Sequence, residues 1–90
     1  MSESPAKVTI YSRSWCSYCA AAKAILSKKE VAFEEIDIEA VPGARDAMLE
    51  RAAGRTSVPQ IFIGDTHVGG FDEMAGLERQ GRLDALLQGG

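Results

Sequence analysis

The chain has 90 residues, 46% of them hydrophobic and 26% charged, as expected for a single globular domain with one modest core. Its net charge of −3 argues against a nucleic-acid partner, which normally requires a basic surface. No apolar run approaches the roughly 20 residues needed to span a bilayer, so we expect no membrane partner either.

The start of the chain and its cysteine content bear on domain organisation and location. Residues 1–6 contain neither an apolar core nor a cleavage pattern, so we expect a short disordered lead instead of a signal peptide. Residues 7–90 are then expected to form a single domain. The two cysteines, Cys16 and Cys19, are too close together to staple a secreted fold of this size. We therefore expect a cytoplasmic location.

The hydrophobic pattern predicts four strands and four helices. The strands are expected at residues 7–12, within 31–38, at 60–63 and at 66–68, and the helices at about 16–29, 44–53, 72–80 and 83–87. A strand–helix–strand start requires a parallel pair with a right-handed crossover, and the turn at Gly64-Asp65 predicts an antiparallel hairpin. We therefore predict an α/β fold: a four-stranded mixed sheet with helices on both faces.

Cys16 and Cys19 form a Cys-x-x-Cys motif between the first predicted strand and the first predicted helix. This context indicates the redox motif of a thioredoxin-like βα unit. At the helix start, the sulfur of Cys16 would lie beside free N–H groups and the positive end of the helix dipole, which favour a thiolate. We therefore predict that Cys16 is the nucleophile and Cys19 the resolving thiol. Two inert buried cysteines are the less favoured alternative, because the polar Ser14 and Ser17 flank Cys16.

A structural zinc site within one chain is not expected. Such a site needs four ligands. Besides the two cysteines, the chain offers one histidine, His67, next to the predicted hairpin turn. We expect His67 to be a solvated turn residue and predict no metal ligands within a single chain.

Two further segments each allow two interpretations. Pro59, ahead of an apolar strand, is either a plain strand start or a cis bond that exposes the backbone of Val58 to an extended ligand. The pair Gly69-Gly70, ahead of a helix that Asp72 can cap, is either an ordinary turn or a carboxylate-binding helix N-terminus. The second interpretation would suit an α-amino acid head group.

Three segments together resemble the glutaredoxin family, specifically its small bacterial dithiol class. They are residues 11–19 with the motif Trp-Cys-Ser-Tyr-Cys, residues 54–63 and residues 69–73, in the family's order and spacing. The resemblance implies a thioredoxin fold with Pro59 in the cis form. It also implies a thiol–disulfide oxidoreductase that uses glutathione as co-substrate and reduces protein–glutathione mixed disulfides and protein disulfides. Glutathione reductase would be an indirect partner through the glutathione pool.

The resemblance further implies a glutathione site. Arg13 would meet the glycyl carboxylate, and the backbone of Val58 would pair with the cysteinyl segment. The N–H groups of Phe71 and Asp72 would hold the γ-glutamyl carboxylate, with the Asp72 side chain near its amine. The implied contact residues are Arg13, Tyr18, Ser57, Val58, Pro59, Gly70, Phe71 and Asp72. Because the match in the second helix is loose by one residue, Arg45 is assigned no role.

The active-site motif departs from the commonest family pattern, because Ser17 stands where a proline is usual. A tryptophan before a serine-containing motif resembles glutaredoxins that hold a [2Fe–2S] cluster between two subunits. In that alternative Cys16 is the cluster ligand, glutathione completes the ligand set, and the protein is a dimer that carries or senses clusters. Otherwise we expect a monomer. A thioredoxin proper fits less well, because it normally carries Gly-Pro between its cysteines.

Overall fold

The computed structural model describes residues 6–88, which form one four-stranded sheet and four helices. In chain order the elements are β1 (Val8–Ser12), α1 (Ser17–Lys28), β2 (Glu34–Asp37), α2 (Ala44–Arg51), β3 (Gln60–Ile63), β4 (Thr66–Gly69), α3 (Phe71–Arg79) and α4 (Leu83–Leu87). This is the predicted order of strands and helices. Within the described part of the chain, no helix has the length and apolar character that crossing a membrane requires.

The strands are arranged in the order β2-β1-β3-β4. β1 runs parallel to β2 and antiparallel to β3, and β3 runs antiparallel to β4. All five residues of β1 are buried, because this strand has a neighbour on each side and helices on both faces. The mixed four-stranded sheet predicted from the sequence is confirmed.

Neighbouring residues of β1 point to opposite faces of the sheet, as the alternation of a strand requires. Ile10 packs in a cluster that contains Leu26 of α1 and Met74 of α3. Tyr11 packs in a second cluster with Met48 of α2. The sheet therefore separates α1, α3 and α4 from α2, and the prediction of helices on both faces is confirmed.

The predicted disordered lead, residues 1–6, lies almost entirely outside the described residues, as do residues 89–90. Ala6, the last residue of that segment, packs against the core. Its backbone N–H donates to the carbonyl of Leu87 at 3.2 Å. The described chain therefore begins on the domain, next to the end of α4.

The strand pairing brings three separate loops to one edge of the sheet. Tyr11, near the end of β1, pairs with Gln60 at the start of β3. Ile61 pairs in turn with Gly69 at the end of β4. Because β1 and β4 end where β3 begins, the loops before α1, before β3 and before α3 converge there. These loops carry the three segments that the sequence singled out.

Candidate active site

Cys16 is the N-cap residue of α1. Its backbone is extended, with φ −108° and ψ 114°, so its sulfur turns back over the first turn of the helix. The sulfur accepts a hydrogen bond from the backbone N–H of Cys19 at 3.2 Å. The first N–H groups of a helix have no partner within it, and an N-cap side chain satisfies one of them. Cys16 thus presents a partly exposed sulfur to backbone dipoles that stabilise negative charge.

Cys19 lies one turn into α1, and only 1% of its surface is exposed. Burial, and secondarily the hydrogen bond with Cys16, raises the pKa of the Cys19 thiol from 9.0 to about 12. Cys19 is therefore a neutral thiol at physiological pH. The two cysteines, both unpaired in the structure, differ in access, because Cys16 is half-buried and Cys19 is buried.

The loop before β3 lies directly against Cys16. The Val58–Pro59 peptide bond is cis, as the family resemblance implies. The Cys16 thiol reaches the carbonyl oxygen of Val58, with an S···O distance of 3.8 Å. Pro59 is buried, whereas Ser57 is exposed and Val58 half-buried. The backbone on the Ser57–Val58 side is thus open to a ligand beside the sulfur.

A cleft of about 220 Å³ opens between the start of α1, this loop and the start of α3. Seven of the lining residues are ones that the sequence predicted, and Arg55 and Glu73 are additional: Tyr18, Arg55, Ser57, Val58, Pro59, Gly70, Phe71, Asp72 and Glu73. The rings of Tyr18 and Phe71 lie 5.9 Å apart and join the α1 and α3 sides of the cleft. The structure therefore brings together seven of the eight predicted contact residues, and they come from all three segments.

The α3 side of the cleft depends on the two glycines before the helix. At Gly69, φ is +113°, and a side-chain carbon would stand 2.8 Å from Glu73 Oε1. The N–H of Gly70 already donates to Glu73 Oε1 at 2.6 Å. That hydrogen bond is the main reason that the pKa of Glu73 is lowered. The N–H groups of Phe71 and Asp72 follow at the first helical positions, where no acceptor exists within the helix.

Arg55 is a cleft residue that was not predicted from the sequence. Its guanidinium lies 3.7 Å from Glu73 Oε1, and both side chains are about half exposed. Of the nine lining residues it is the sole arginine or lysine. Arg55 belongs to residues 54–63, one of the segments that resemble the glutaredoxin family, and this was the only sequence signal for it. Nothing in the sequence showed that its side chain reaches α3.

Arg13 lies outside the cleft. It is exposed, and its guanidinium lies over the ring of Trp15, 5.8 Å from the ring centre. Trp15 is itself 78% exposed. Arg13 is absent from the residues that line the cleft.

His67 differs from the expectation of a solvated turn residue. It lies in β4, is half-buried, and stacks on Phe62 with ring centres 4.7 Å apart. Its Nε2 contacts Oε1 of Gln60 at 2.7 Å. The turn itself is formed by Gly64-Asp65, and His67 lies in the strand that follows it, with its ring packed on Phe62.

Comparison with known proteins assigns the family. The glutaredoxin family model matches residues 8–68. A glutaredoxin from Pseudomonas aeruginosa is 55% identical over 80 residues, covering 89% of this chain and 94% of that protein. The solution structure of a glutaredoxin from Brucella melitensis is 52% identical, with a TM-score of 0.80, covering 94% of this chain and 91% of that one.

A crystal structure of a buckwheat glutaredoxin–glutathione complex also superimposes, with a TM-score of 0.82 and 26% identity. The match covers 91% of this chain and 76% of the buckwheat chain. Family model, relatives and fold agree with the Cys-x-x-Cys pair at the start of α1. The chain therefore belongs to the glutaredoxin family and is a thiol–disulfide oxidoreductase with a thioredoxin fold.

Proposed function

We propose that this glutaredoxin depends on glutathione, that Cys16 is its nucleophile, and that Cys19 acts only in the reduction of protein disulfides. The observation that carries the proposal is the cleft beside Cys16. It offers an extended backbone edge at Val58, a helix N-terminus at Phe71 and the cationic Arg55. These groups match a short peptide with a thiol in its middle and a carboxylate at the end that meets α3.

Glutathione would lie along the cleft with its sulfur at Cys16. The first N–H groups of α3 would hold the γ-glutamyl carboxylate, since a helix N-terminus favours an anion. The exposed carboxylate of Asp72 would face the ammonium of the same residue. The backbone of Val58 would pair with the cysteinyl segment, between Ser57, Pro59, Gly70 and the ring of Tyr18.

Two arginines remain for the carboxylates. Arg55 lies beside Glu73 at the α3 end of the cleft, so we assign it to the γ-glutamyl carboxylate. Without it, Asp72 and Glu73 would repel an incoming carboxylate. Arg13 precedes the active-site turn and is the candidate for the glycyl carboxylate, which its guanidinium would reach by leaving Trp15.

In the first step the Cys16 thiolate attacks the glutathione sulfur of a protein–glutathione mixed disulfide. A bond forms between Cys16 and glutathione, the original S–S bond breaks, and the protein thiol leaves as a thiolate. A second glutathione thiolate then attacks the glutathione sulfur of this adduct. It releases oxidised glutathione and restores the Cys16 thiolate.

A protein disulfide requires Cys19. After Cys16 has formed a mixed disulfide with the target, Cys19 loses its proton and attacks the sulfur of Cys16. The target thiol leaves, and a Cys16–Cys19 disulfide remains. In the dithiol form burial is the main cause that raises the pKa of Cys19, so its thiol must give up a proton for this attack.

The experiment is reduction of a glutathionylated peptide by glutathione, coupled to NADPH through glutathione reductase. It compares the wild type with Cys16→Ser and Cys19→Ser. Activity lost in Cys16→Ser and retained in Cys19→Ser supports the proposal. A wild type without glutathione-dependent activity, or equal losses in the two variants, contradicts it.

The cytoplasm is the compartment that we propose for this activity. The Cys16–glutathione adduct and the Cys16–Cys19 disulfide must both be reduced back to thiols. The glutathione pool of the cytoplasm can do this. The partners are then glutathionylated or disulfide-containing proteins, with glutathione reductase acting through the pool.

A [2Fe–2S] cluster form is the second candidate function. It is favoured by the exposure of the active-site surface, where Trp15 and Tyr18 are 78% and 60% exposed on either side of Cys16. Within residues 6–88, no group of three or more His, Cys, Asp or Glu side chains could hold a metal. Cys16 is thus the one accessible cysteine of the described chain, and a cluster would need a second subunit and two glutathione thiolates.

The test of this candidate is anaerobic reconstitution with iron, sulfide and glutathione. The predicted result is visible cluster absorbance together with a dimer in size-exclusion chromatography, both lost in Cys16→Ser. A colourless monomer from the wild type would contradict the cluster form and leave the oxidoreductase proposal unaffected.

A further inference from the structure

The side chain of Gln60 is a fully buried polar group immediately after the cis proline, with 0% of its surface exposed. Its Nε2 donates to the backbone carbonyl of Ser57 at 2.9 Å and contacts the Ser57 hydroxyl at 3.1 Å. Its Oε1 lies 2.7 Å from Nε2 of His67. Both ends of a buried amide are thus engaged, one by the active-site loop and the other by β4.

The chemistry of these partners fixes the direction of each hydrogen bond. A backbone carbonyl can only accept, so the Ser57 oxygen requires the NH₂ end of the Gln60 amide. Oε1 therefore faces His67, whose Nε2 must carry the proton that it donates. Stacking on Phe62, with an interplanar angle of 17°, holds the imidazole in place. The result is a directed chain from His67 through Gln60 to Ser57.

The carbonyl of Ser57 belongs to the same peptide plane as the N–H of Val58. In a trans peptide the C=O and N–H bonds point in opposite directions, and the plane turns as a unit. A hydrogen bond that holds the Ser57 carbonyl toward the interior therefore directs the Val58 N–H away from it. Both residues line the cleft, so this peptide plane forms part of the cleft wall beside Cys16.

We propose that Gln60 and His67 are positioning residues for glutathione binding. They fix the Ser57–Val58 peptide plane, so that the Val58 N–H is presented to the cysteinyl segment without rearrangement. A donor that is already oriented spares the ligand the cost of ordering it. The inference rests on the proposed function, because it assumes that Val58 pairs with glutathione.

The first test is Gln60→Met, which keeps the size of the side chain and removes its hydrogen bonds to Ser57 and His67. We expect the KM for a glutathionylated peptide to rise about three- to tenfold, the factor that one neutral hydrogen bond is worth, with kcat nearly unchanged. Gln80→Met, at the exposed end of α3, is the matched control and should leave both constants unchanged.

His67→Phe is the second variant and keeps the test decisive if Gln60→Met fails to fold. It retains a ring on Phe62 and removes the proton donated to Gln60. We expect the KM of His67→Phe to be about threefold that of the wild type. The KM of His67→Gln should stay near the wild-type value, because a glutamine amide can donate a hydrogen bond to Gln60. A purely structural role of His67 would lower stability without this rescue of KM.

Amide exchange of Val58 gives a readout separate from turnover. In the Cys19→Ser background, formation of the Cys16–glutathione adduct should slow exchange of the Val58 N–H, and Gln60→Met should abolish that protection. Folded variants with the KM and Val58 protection of the wild type would overturn the inference. A wild type that turns over with glutathione would at the same time leave the proposed function intact, so the two failures are distinguishable.

Discussion

The backbone N–H of Cys19 donates to the sulfur of Cys16 at 3.2 Å, while the thiol of Cys19 is itself buried. One residue thus contributes in two opposite ways. Its backbone N–H helps to stabilise negative charge on the sulfur of Cys16, whereas its burial disfavours negative charge on the sulfur of Cys19. Two cysteines separated by a single helical turn therefore differ in reactivity for reasons that the turn itself supplies.

Alkaline pH is predicted to destabilise the fold through Cys19. Folding raises the pKa of this thiol from 9.0 to about 12, so the neutral form is favoured in the folded state. The resulting stability is fully present below about pH 9 and is lost as the pH rises toward about 12. Urea unfolding of Cys16→Ser should show this loss, and Cys16→Ser/Cys19→Ala should show less of it. Equal pH dependence of the two proteins would contradict the assignment.

Glu35 is predicted to stabilise the fold where the end of β1 meets α1, next to the active site. Its Oε2 accepts from Lys23 at 2.8 Å and from the buried hydroxyl of Ser12 at 2.7 Å, and the two bonds, that of Lys23 first, lower its pKa. The stability that this gives is present above about pH 4.5 and is lost as the pH falls through the lowered pKa. After allowance for solvent screening, Glu35→Gln should cost about 1 kcal/mol of unfolding free energy at neutral pH.

The control for this prediction is Glu34→Gln. Glu34 pairs with Lys7 at 3.4 Å, but both side chains are more than half exposed, so the change should be close to neutral. Equal effects of the two substitutions in urea unfolding would show that Glu35 has no special role.

Arg55 is predicted to govern affinity for glutathione. Arg55→Gln removes the one cation among the cleft residues and leaves Glu73 uncompensated. The KM for a glutathionylated peptide should rise about tenfold, because a hydrogen bond between charged groups is lost. Arg79→Gln, on an exposed part of α3, should leave the KM unchanged. A cleft that binds glutathione equally well in both variants would rule out the role of Arg55.

Gly69 is predicted to be the least replaceable of the glycines near the cleft. Its φ of +113° is unfavourable for any other residue, and a side-chain carbon would collide with Glu73 Oε1 and meet Arg55 Nη1 at 3.0 Å. Gly69→Ala should lower the unfolding free energy by about 1–3 kcal/mol. Gly76→Ala is the control. A side-chain carbon at Gly76 would lie 3.8 Å from its nearest neighbour, Arg79 Nη2, and alanine favours a helix. Thermal unfolding of both variants gives the comparison.

The sequence was sufficient for the fold because the relevant signals are local. The β-rich run of β1, the helical stripe of α1 and the turn at Gly64-Asp65 each determine one element, and the crossover rule then limits how they connect. The Cys16–Cys19 spacing likewise placed the reactive pair at a helix start. The predicted ends of α1, α2 and α3 differed from the observed ones by one or two residues, because helix ends depend on caps such as the sulfur of Cys16.

Other parts of the site could not be predicted, because they depend on side chains that meet across the fold. Arg55 reaches α3 only after the loop before β3 has folded against it. Gln60 and His67 are seven residues apart and lie on adjacent strands, so their contact depends on the bulged register of β3 and β4. The hydrophobic periodicity that predicts helices and strands does not indicate such a contact between side chains.

The most direct test of the account is to identify the covalent intermediate. The Cys19→Ser variant, in which Cys19 cannot resolve the intermediate, is mixed with a glutathionylated peptide, and the products are analysed by intact mass and by peptide mapping. We expect one glutathione per chain, attached at Cys16, with release of the free peptide. Attachment of the peptide instead of glutathione, or no adduct at Cys16, would contradict it.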